Sequence, residues 1–277
     1  MTRQIEIACL QTRAMPDFVA ALDEALVLAS RAVADGARML FLPEYCSGLA
    51  TEGPAVAPPS APEEDHPFLR RMQAFAAENG VWINLGSIAV DGPDGRIVNR
   101  GIMLDDAGAI TGRYDKIHLF DIQLSESEVY RESARVSPGR HAVIHDTPLG
   151  RIGHTICYDL RFPLLYRRLA QAEAEMLCCP AAFTARTGVA HWHVLNRARA
   201  IETTRFMVSA NMVGPVPGGG ETFGHSLIVD PWGGILGDGG GEGPGVVRAR
   251  LDLDLVEQTA RRIPSLDNEQ AFDLVRS

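Results

Sequence analysis

Three polar residues stand at the ends of apolar stretches, and together their types describe an acyl-transfer site. Cys157 follows Ile152-Gly153-His154-Thr155-Ile156, an alternating strand-like run, and a helix-like segment begins near Arg161-Phe162-Pro163. A thiol on a sharp turn between strand and helix is exposed, with backbone N–H groups free to bind an oxyanion. Such a nucleophile needs a partner that activates it. Glu44 follows Met39-Leu40-Phe41-Leu42-Pro43, and Lys116 precedes Ile117-His118-Leu119-Phe120. Strand ends on one edge of an α/β sheet are where catalytic groups gather. Meeting there, Glu44 would take the thiol proton, and Lys116 with the Tyr158 N–H would stabilise the oxyanion. Taken singly, each residue also has a structural reading. A Glu after Pro caps a loop, a Lys in Tyr-Asp-Lys is solvated, and a Cys among apolar residues packs.

The elements that must position these groups follow from periodicity. Residues 4–11 alternate apolar and polar and predict a first strand, and 16–35 carry apolar residues at helical spacing. Residues 38–42 predict a buried strand, 48–62 a loop, 62–79 a second helix and 81–90 one continuous strand. Asp91-Gly92-Pro93-Asp94-Gly95 and Asp105-Asp106-Ala107-Gly108 are hairpin signals linking strands near 96–104 and 109–114. Residues 120–140 form a long irregular segment, a length that often carries function. Strands at 142–146 and 151–156 flank Pro148-Leu149-Gly150. After Cys157 come a helix (163–173), a strand (175–179) and a helix from about 190 to 204. Strands at 206–212, 223–230 and 246–251 and a helix at 253–262 follow, then a tail, 263–277, without strong pattern. Hairpins interrupt the strand–helix alternation, which predicts two mixed β-sheets with helices on their outer faces.

Composition narrows the function classes. The 277 residues are 46% hydrophobic and 22% charged, ordinary for a globular chain with a large core. A net charge of −9 argues against nucleic acid as the main partner. No apolar run reaches the ~18–20 residues of a membrane span, and the N-terminus has no apolar signal core. The five cysteines, Cys9, Cys46, Cys157, Cys178 and Cys179, include no Cys-x-x-Cys pair, so a cytoplasmic location is expected, without disulfides or structural zinc. His191 and His193, two apart on a helix, point roughly 200° away from each other and cannot share an ion. His193 is read as surface or packing, and His118, His141, His145 and His154 have no common spacing. The glycines at 218–220 and 239–241 lack a phosphate-loop Lys-Ser/Thr.

The local sequences go further. Phe-Leu-Pro-Glu-Tyr (41–45), Tyr-Asp-Lys-Ile-His-Leu-Phe-Asp (114–121) and Ile-Cys-Tyr-Asp-Leu-Arg-Phe-Pro (156–163) resemble the three signatures of the nitrilase, or carbon–nitrogen hydrolase, superfamily. Their order and their intervals of 72 and 41 residues are family-like. Further resemblances lie at Tyr-Arg-Glu-Ser (130–133), Pro-Ala-Ala-Phe-Thr (180–184), Arg-Ala-Arg-Ala-Ile-Glu (197–202) and Asp-Pro-Trp-Gly (230–233). The chain looks most similar to the omega-amidase and deaminated-glutathione amidase subgroup. The resemblance implies one carbon–nitrogen hydrolase domain over 1–277, folded as a four-layer αββα sandwich. It implies a homodimer with the 263–277 tail at the interface, and a thioester-forming amidase without metal or cofactor.

By the same resemblance Glu44, Lys116 and Cys157 form the triad, and Glu132 is a supporting glutamate, with Glu126 and Glu128 as nearby rivals. The substrate expected is a small amide bearing a distant carboxylate. Arg161 is either its anchor, since guanidinium binds carboxylate bidentately, or the structural partner of Asp159 or a glutamate. Tyr158, Phe183 and Thr187 are expected to line the pocket, with His191 facing the site. A nitrilase or an N-carbamoyl-amine hydrolase would use the same triad, and a binding or assembly protein with weak catalysis is the reading from another class.

Overall fold

The computed structural model describes residues 3–92, 94–126 and 128–276. Pro93 of the first hairpin signal, Ser127 of the long segment, and Met1, Thr2 and Ser277 lie outside the described residues. Two mixed sheets dominate. The eight-stranded one runs Val136–Ser137, Ile97–Leu104, Trp82–Asn84, Met39–Phe41, Gln4–Gln11 and Gly245–Asp252, with Ile88–Asp91 and Ile110–Asp115 also paired to Ile97–Leu104. The six-stranded one runs Val143–Thr147, Gly150–His154, Met176–Cys178, Phe206–Ser209, Leu227–Val229 and Ile235–Asp238.

Strand alternation then builds four layers. In the first strand Ala8 and Leu10 face Leu28 of helix Phe18–Ala34 and Phe68 and Met72 of helix Pro67–Asn79. Ile7 and Cys9 face the other way, onto Met176, Cys178, Phe206 and Val208 of the second sheet. On that sheet's far side Leu177 and Cys179 pack with Leu169 of helix Pro163–Gln171 and Trp192 and Ala200 of helix Ala185–Thr203. The result is the expected αββα sandwich. Strands buried on both faces read as continuous apolar runs. That is why Met39-Leu40-Phe41-Leu42 shows no alternation: all four are buried.

Four local expectations need correction. The strand expected over 81–90 is broken at Gly86, whose φ of +64 suits glycine. A Cβ there would sit 2.1 Å from the Leu42 carbonyl oxygen, so the two segments touch backbone to backbone just before Glu44. Residues 120–140 are not irregular throughout: Asp121–Gln123 and Val129–Arg131 pair as a hairpin, and Glu132–Ala134 is a 3₁₀ turn. A five-residue 3₁₀ turn, Cys157–Arg161, precedes helix Pro163–Gln171. The helix expected from 190 begins at Ala185, because Gly188 stays in its interior despite glycine's poor helix propensity. A Cβ at Gly188 would lie 2.2 Å from the Phe223 ring, so packing overrides propensity.

Two buried histidines join the sheets beside the Gly86 bend. His154 Nε2 lies 3.1 Å from the Gly86 carbonyl, which can only accept, so His154 carries its proton on Nε2. Its Nδ1 then accepts from His145 Nε2 at 3.0 Å. Burial holds His145 down at about 4, and burial followed by the His145 charge holds His154 well below its ordinary value. Both rings are neutral when folded, whereas the unfolded chain protonates them below about pH 6.5. Their contribution is therefore full above that pH and is lost as pH falls toward 4, on the order of 3 kcal/mol for His145 alone. Urea midpoints should drop between pH 7 and 5, and His145→Gln should flatten that slope. An unchanged slope in the variant would contradict the assignment.

Candidate active site

Three strand ends deliver the charged cluster. Glu44 closes the turn after Met39–Phe41, Lys116 follows Ile110–Asp115, and Cys157 follows Gly150–His154. Lys116 Nζ lies 2.8 Å from Glu44 Oε1 and 2.8 and 3.0 Å from the two oxygens of Glu132. All three residues are at most 3% exposed. Burial opposes the ammonium charge, but the carboxylates of Glu132 and Glu44 outweigh it and hold Lys116 well above its ordinary value. The cluster thus sets two carboxyl side chains around one ammonium. Its effect on the neighbouring thiol follows: burial, then the Glu44 charge, push Cys157 well above the usual thiol value, with Lys116 pulling the other way. Cys157 is therefore a thiol at rest, and its proton would have to move for it to act as a nucleophile.

The Cys157 backbone is held at φ +46, in the left-handed region that non-glycine residues seldom occupy. Asp159 fixes this elbow. It is fully buried and accepts from the Ile156 N–H at 2.8 Å, the Tyr114 hydroxyl at 2.7 Å, and the His118 backbone and ring nitrogens at 3.1 and 2.7 Å. The Tyr158 N–H, in the first turn, has no acceptor among the described residues and is free to face an oxyanion. Tyr45, directly after Glu44, also has a positive φ of 51, and its N–H donates to Ser87 Oγ at 2.9 Å beyond the Gly86 bend. The bend therefore braces the Glu44 turn.

The two glutamates differ in how they are held. Glu132 accepts from Lys116 at both oxygens, from the Phe120 N–H at 2.6 Å, the Tyr45 hydroxyl at 3.2 Å and Asn99 Nδ2 at 3.3 Å. Glu44 accepts from Lys116 and Asn99 at Oε1, and from the Ala182 N–H at Oε2, 2.9 Å away. Glu132 is saturated and rigid, not a loop group able to close over substrate. Glu128, one of its sequence rivals, instead pairs with Arg186.

A cavity of about 750 Å³, counted with its open mouth, meets the cluster. Tyr158, Phe183 and Thr187 stand in its wall with Cys157, Glu44, Lys116 and Glu132. Arg161 and His191 do not. The Arg161 guanidinium lies over the Tyr158 and Phe183 rings, 5.9 and 5.3 Å from their centroids, and 3.2 Å from His191 Nδ1. It is not the partner of Asp159, whose oxygens are taken by the elbow. As the two-residue spacing requires, His191 and His193 diverge: His193 reaches Asp238.

Sequence reasoning missed Asn99. Its Nδ2 bridges Glu44 and Glu132, its carbonyl accepts from the Lys116 N–H at 3.0 Å, and its buried Oδ1 has no partner among the described residues. The available signal was an Asn, a residue depleted in strands, inside the run Ile97-Val98-Asn99-Arg100-Gly101-Ile102. Asn99→Leu should lower kcat by about 10²-fold, the value of a hydrogen bond to a charged group, with little change in KM. Asn99→Asp adds a third carboxylate and should move the alkaline-favoured limb of the pH–rate profile upward. Normal kcat in both variants would remove Asn99 from the site.

Comparison with known proteins identifies the family. The sequence model of the family described as carbon-nitrogen hydrolase matches residues 6–261. A deaminated glutathione amidase of Synechocystis is 38% identical over 269 residues, covering 94% of this chain and 96% of that one. The human deaminated glutathione amidase is 36% identical, covering 93% and 80%. The crystal structure of Saccharomyces cerevisiae Nit3, a member of branch 10 of the nitrilase superfamily, superposes with a TM-score of 0.82 at 27% identity, covering 94% of each chain. The chain belongs to the carbon–nitrogen hydrolase family.

Proposed function

We propose that this enzyme hydrolyses the C–N bond of small carboxamides through a thioester on Cys157, in the manner of an omega-amidase. The observation that carries the reading is the buried Lys116 ammonium fixed between Glu44 and Glu132 beside a thiol held at positive φ. Cys157 Sγ attacks the amide carbon while its proton passes to Glu44. The oxyanion lies between Lys116 and the Tyr158 N–H. The tetrahedral species collapses with cleavage of the C–N bond, and Glu44 gives its proton to the departing ammonia. Water, deprotonated by Glu44, then attacks the thioester, releasing the acid and returning the proton to the thiol. Glu132 and Asn99 hold Lys116 and Glu44 in register throughout.

The substrate proposed is an amide bearing a distant carboxylate, and the resemblance to relatives named deaminated glutathione amidase supports this reading. Arg161 has no carboxylate partner among the described residues and lies behind the Tyr158 and Phe183 wall rather than in it; as the proposed anchor it would have to reach past those rings, with His191 holding the guanidinium. Residues 1–277 act as one catalytic unit in the cytoplasm; among the described residues no helix is long and apolar enough to cross a membrane. The proposed assembly is a homodimer. The tail lies against helix Pro163–Gln171 through an Arg167–Glu269 ion pair and leaves Phe272, Leu274 and Val275 more than four-fifths exposed. Light scattering should give twice the chain mass, and a monomer at working concentration would contradict it. The functional test is ammonia release from a panel of amides of dicarboxylic acids, neutral amides, nitriles and N-carbamoyl amines. Turnover confined to nitriles or carbamoyl compounds would replace the amidase reading, and none on any class would favour a binding role.

A further inference from the structure

The cluster His193, His225 and Asp238 lies outside the catalytic cavity and outside every step above. His193 comes from the middle of helix Ala185–Thr203, His225 from the corner before strand Leu227–Val229, and Asp238 from the end of strand Ile235–Asp238. One potential ligand atom from each lies within 4.8 Å of the others. His193 Nε2 is 2.9 Å from Asp238 Oδ2, and His225 Nδ1 is 2.8 Å from Asp238 Oδ1. The edge of a tetrahedron with metal–ligand bonds of ~2.0 Å is ~3.3 Å, so a small ion fits after slight opening. We propose that these three side chains bind a divalent first-row transition ion, with Zn²⁺ the ion best matched to a two-imidazole, one-carboxylate set.

The site is prepared. The His225 N–H donates to the Gly240 carbonyl at 2.7 Å, and its own carbonyl accepts from Trp192 Nε1 at 2.7 Å, which fixes its backbone at φ +53. Its ring stacks on Phe223 with centroids 4.4 Å apart. The Gly240 N–H donates to Asp238 Oδ1 at 2.9 Å and orients the carboxylate. Such outer contacts align metal ligands. The three side chains remain 27–32% exposed, which leaves an entry path and a fourth position for water. An ion here would tie the helix that supplies Thr187 to the cavity wall onto the glycine-rich 239–241 loop, a structural role separate from the thiol chemistry.

The test is titration calorimetry of Zn²⁺ into the chelator-stripped full chain at pH 7.5. Variants His193→Ala and Asp238→Asn are run beside it, with Cys157→Ala as the control for thiol binding. The expected result is one equivalent bound, a higher melting temperature with Zn²⁺, and affinity lowered more than about tenfold in His193→Ala and Asp238→Asn but unchanged in Cys157→Ala. Both site variants should retain hydrolysis in the absence of metal, which shows that they are folded. Absence of saturable binding to the parent chain would overturn the proposal. So would binding that survives both site variants, or that vanishes with Cys157→Ala.

Discussion

Glu44→Gln should lower turnover by about 10⁴-fold or more, the upper end for one acid–base group, because in the proposed mechanism Glu44 carries the proton in both half-reactions. The substitution keeps the side chain's shape and an oxygen to accept from Lys116 and Asn99, but turns its amide nitrogen toward the Ala182 N–H, which loses its acceptor. The thiol should respond in the opposite direction. The Glu44 charge is part of what holds Cys157 high, so removing it favours the thiolate. The pH profile of Cys157 alkylation by iodoacetamide should therefore shift to lower pH in Glu44→Gln while hydrolysis is lost. Glu132→Gln should cost less, because Glu132 already accepts hydrogen bonds from Lys116, Asn99, Tyr45 and Phe120 and has no position left for a travelling proton. Near-normal turnover in Glu44→Gln beside a dead Glu132→Gln would mean that the two carboxylates are reversed.

Cys157→Ala should abolish hydrolysis, a loss on the order of 10⁶-fold as expected when a covalent nucleophile is removed. Folding should survive it. The elbow is set by Asp159 and by the Cys157 N–H, which donates to the Pro180 carbonyl at 2.9 Å, not by the sulfur. A melting temperature within a few degrees of the parent's, together with no detectable product, is the expected pair of results. Retained turnover would remove Cys157 from the mechanism.

What the sequence made legible follows from what each residue depends on. Glu44, Lys116 and Cys157 each sit at an expected strand end, but each alone also had a structural reading, and it was the resemblance of their three stretches to the family's signatures that brought them together. Two mixed sheets with outer helices were readable from the hairpins that interrupt the strand–helix alternation, whereas the four-layer stacking came from the family resemblance. Asn99, Tyr45 and Asp159 were not readable as site residues, because their roles are set by partners 87 residues away or 33, 45 and 55 apart. The Gly86 bend was hidden for the same reason: its cause is the close approach of Leu42, a contact no periodicity records. His193, correctly separated from His191 by helix geometry, met instead a histidine and an aspartate from two other elements. For Arg161 the sequence left open a carboxylate anchor or an ion pair with Asp159 or a glutamate, and the structure removes Asp159 from that choice, since its buried carboxylate serves the elbow.

The central claim is a covalent acyl–Cys157 intermediate formed with Glu44 as proton carrier. Acid-quenched intact-mass and peptide spectrometry during turnover of an amide substrate tests it most directly. The account predicts an added mass equal to the acyl group, confined to the peptide holding Cys157 and absent in Cys157→Ala. Steady turnover by the parent with no acyl adduct on that peptide at any quench time, together with a Cys157→Ala variant as active as the parent, would contradict it.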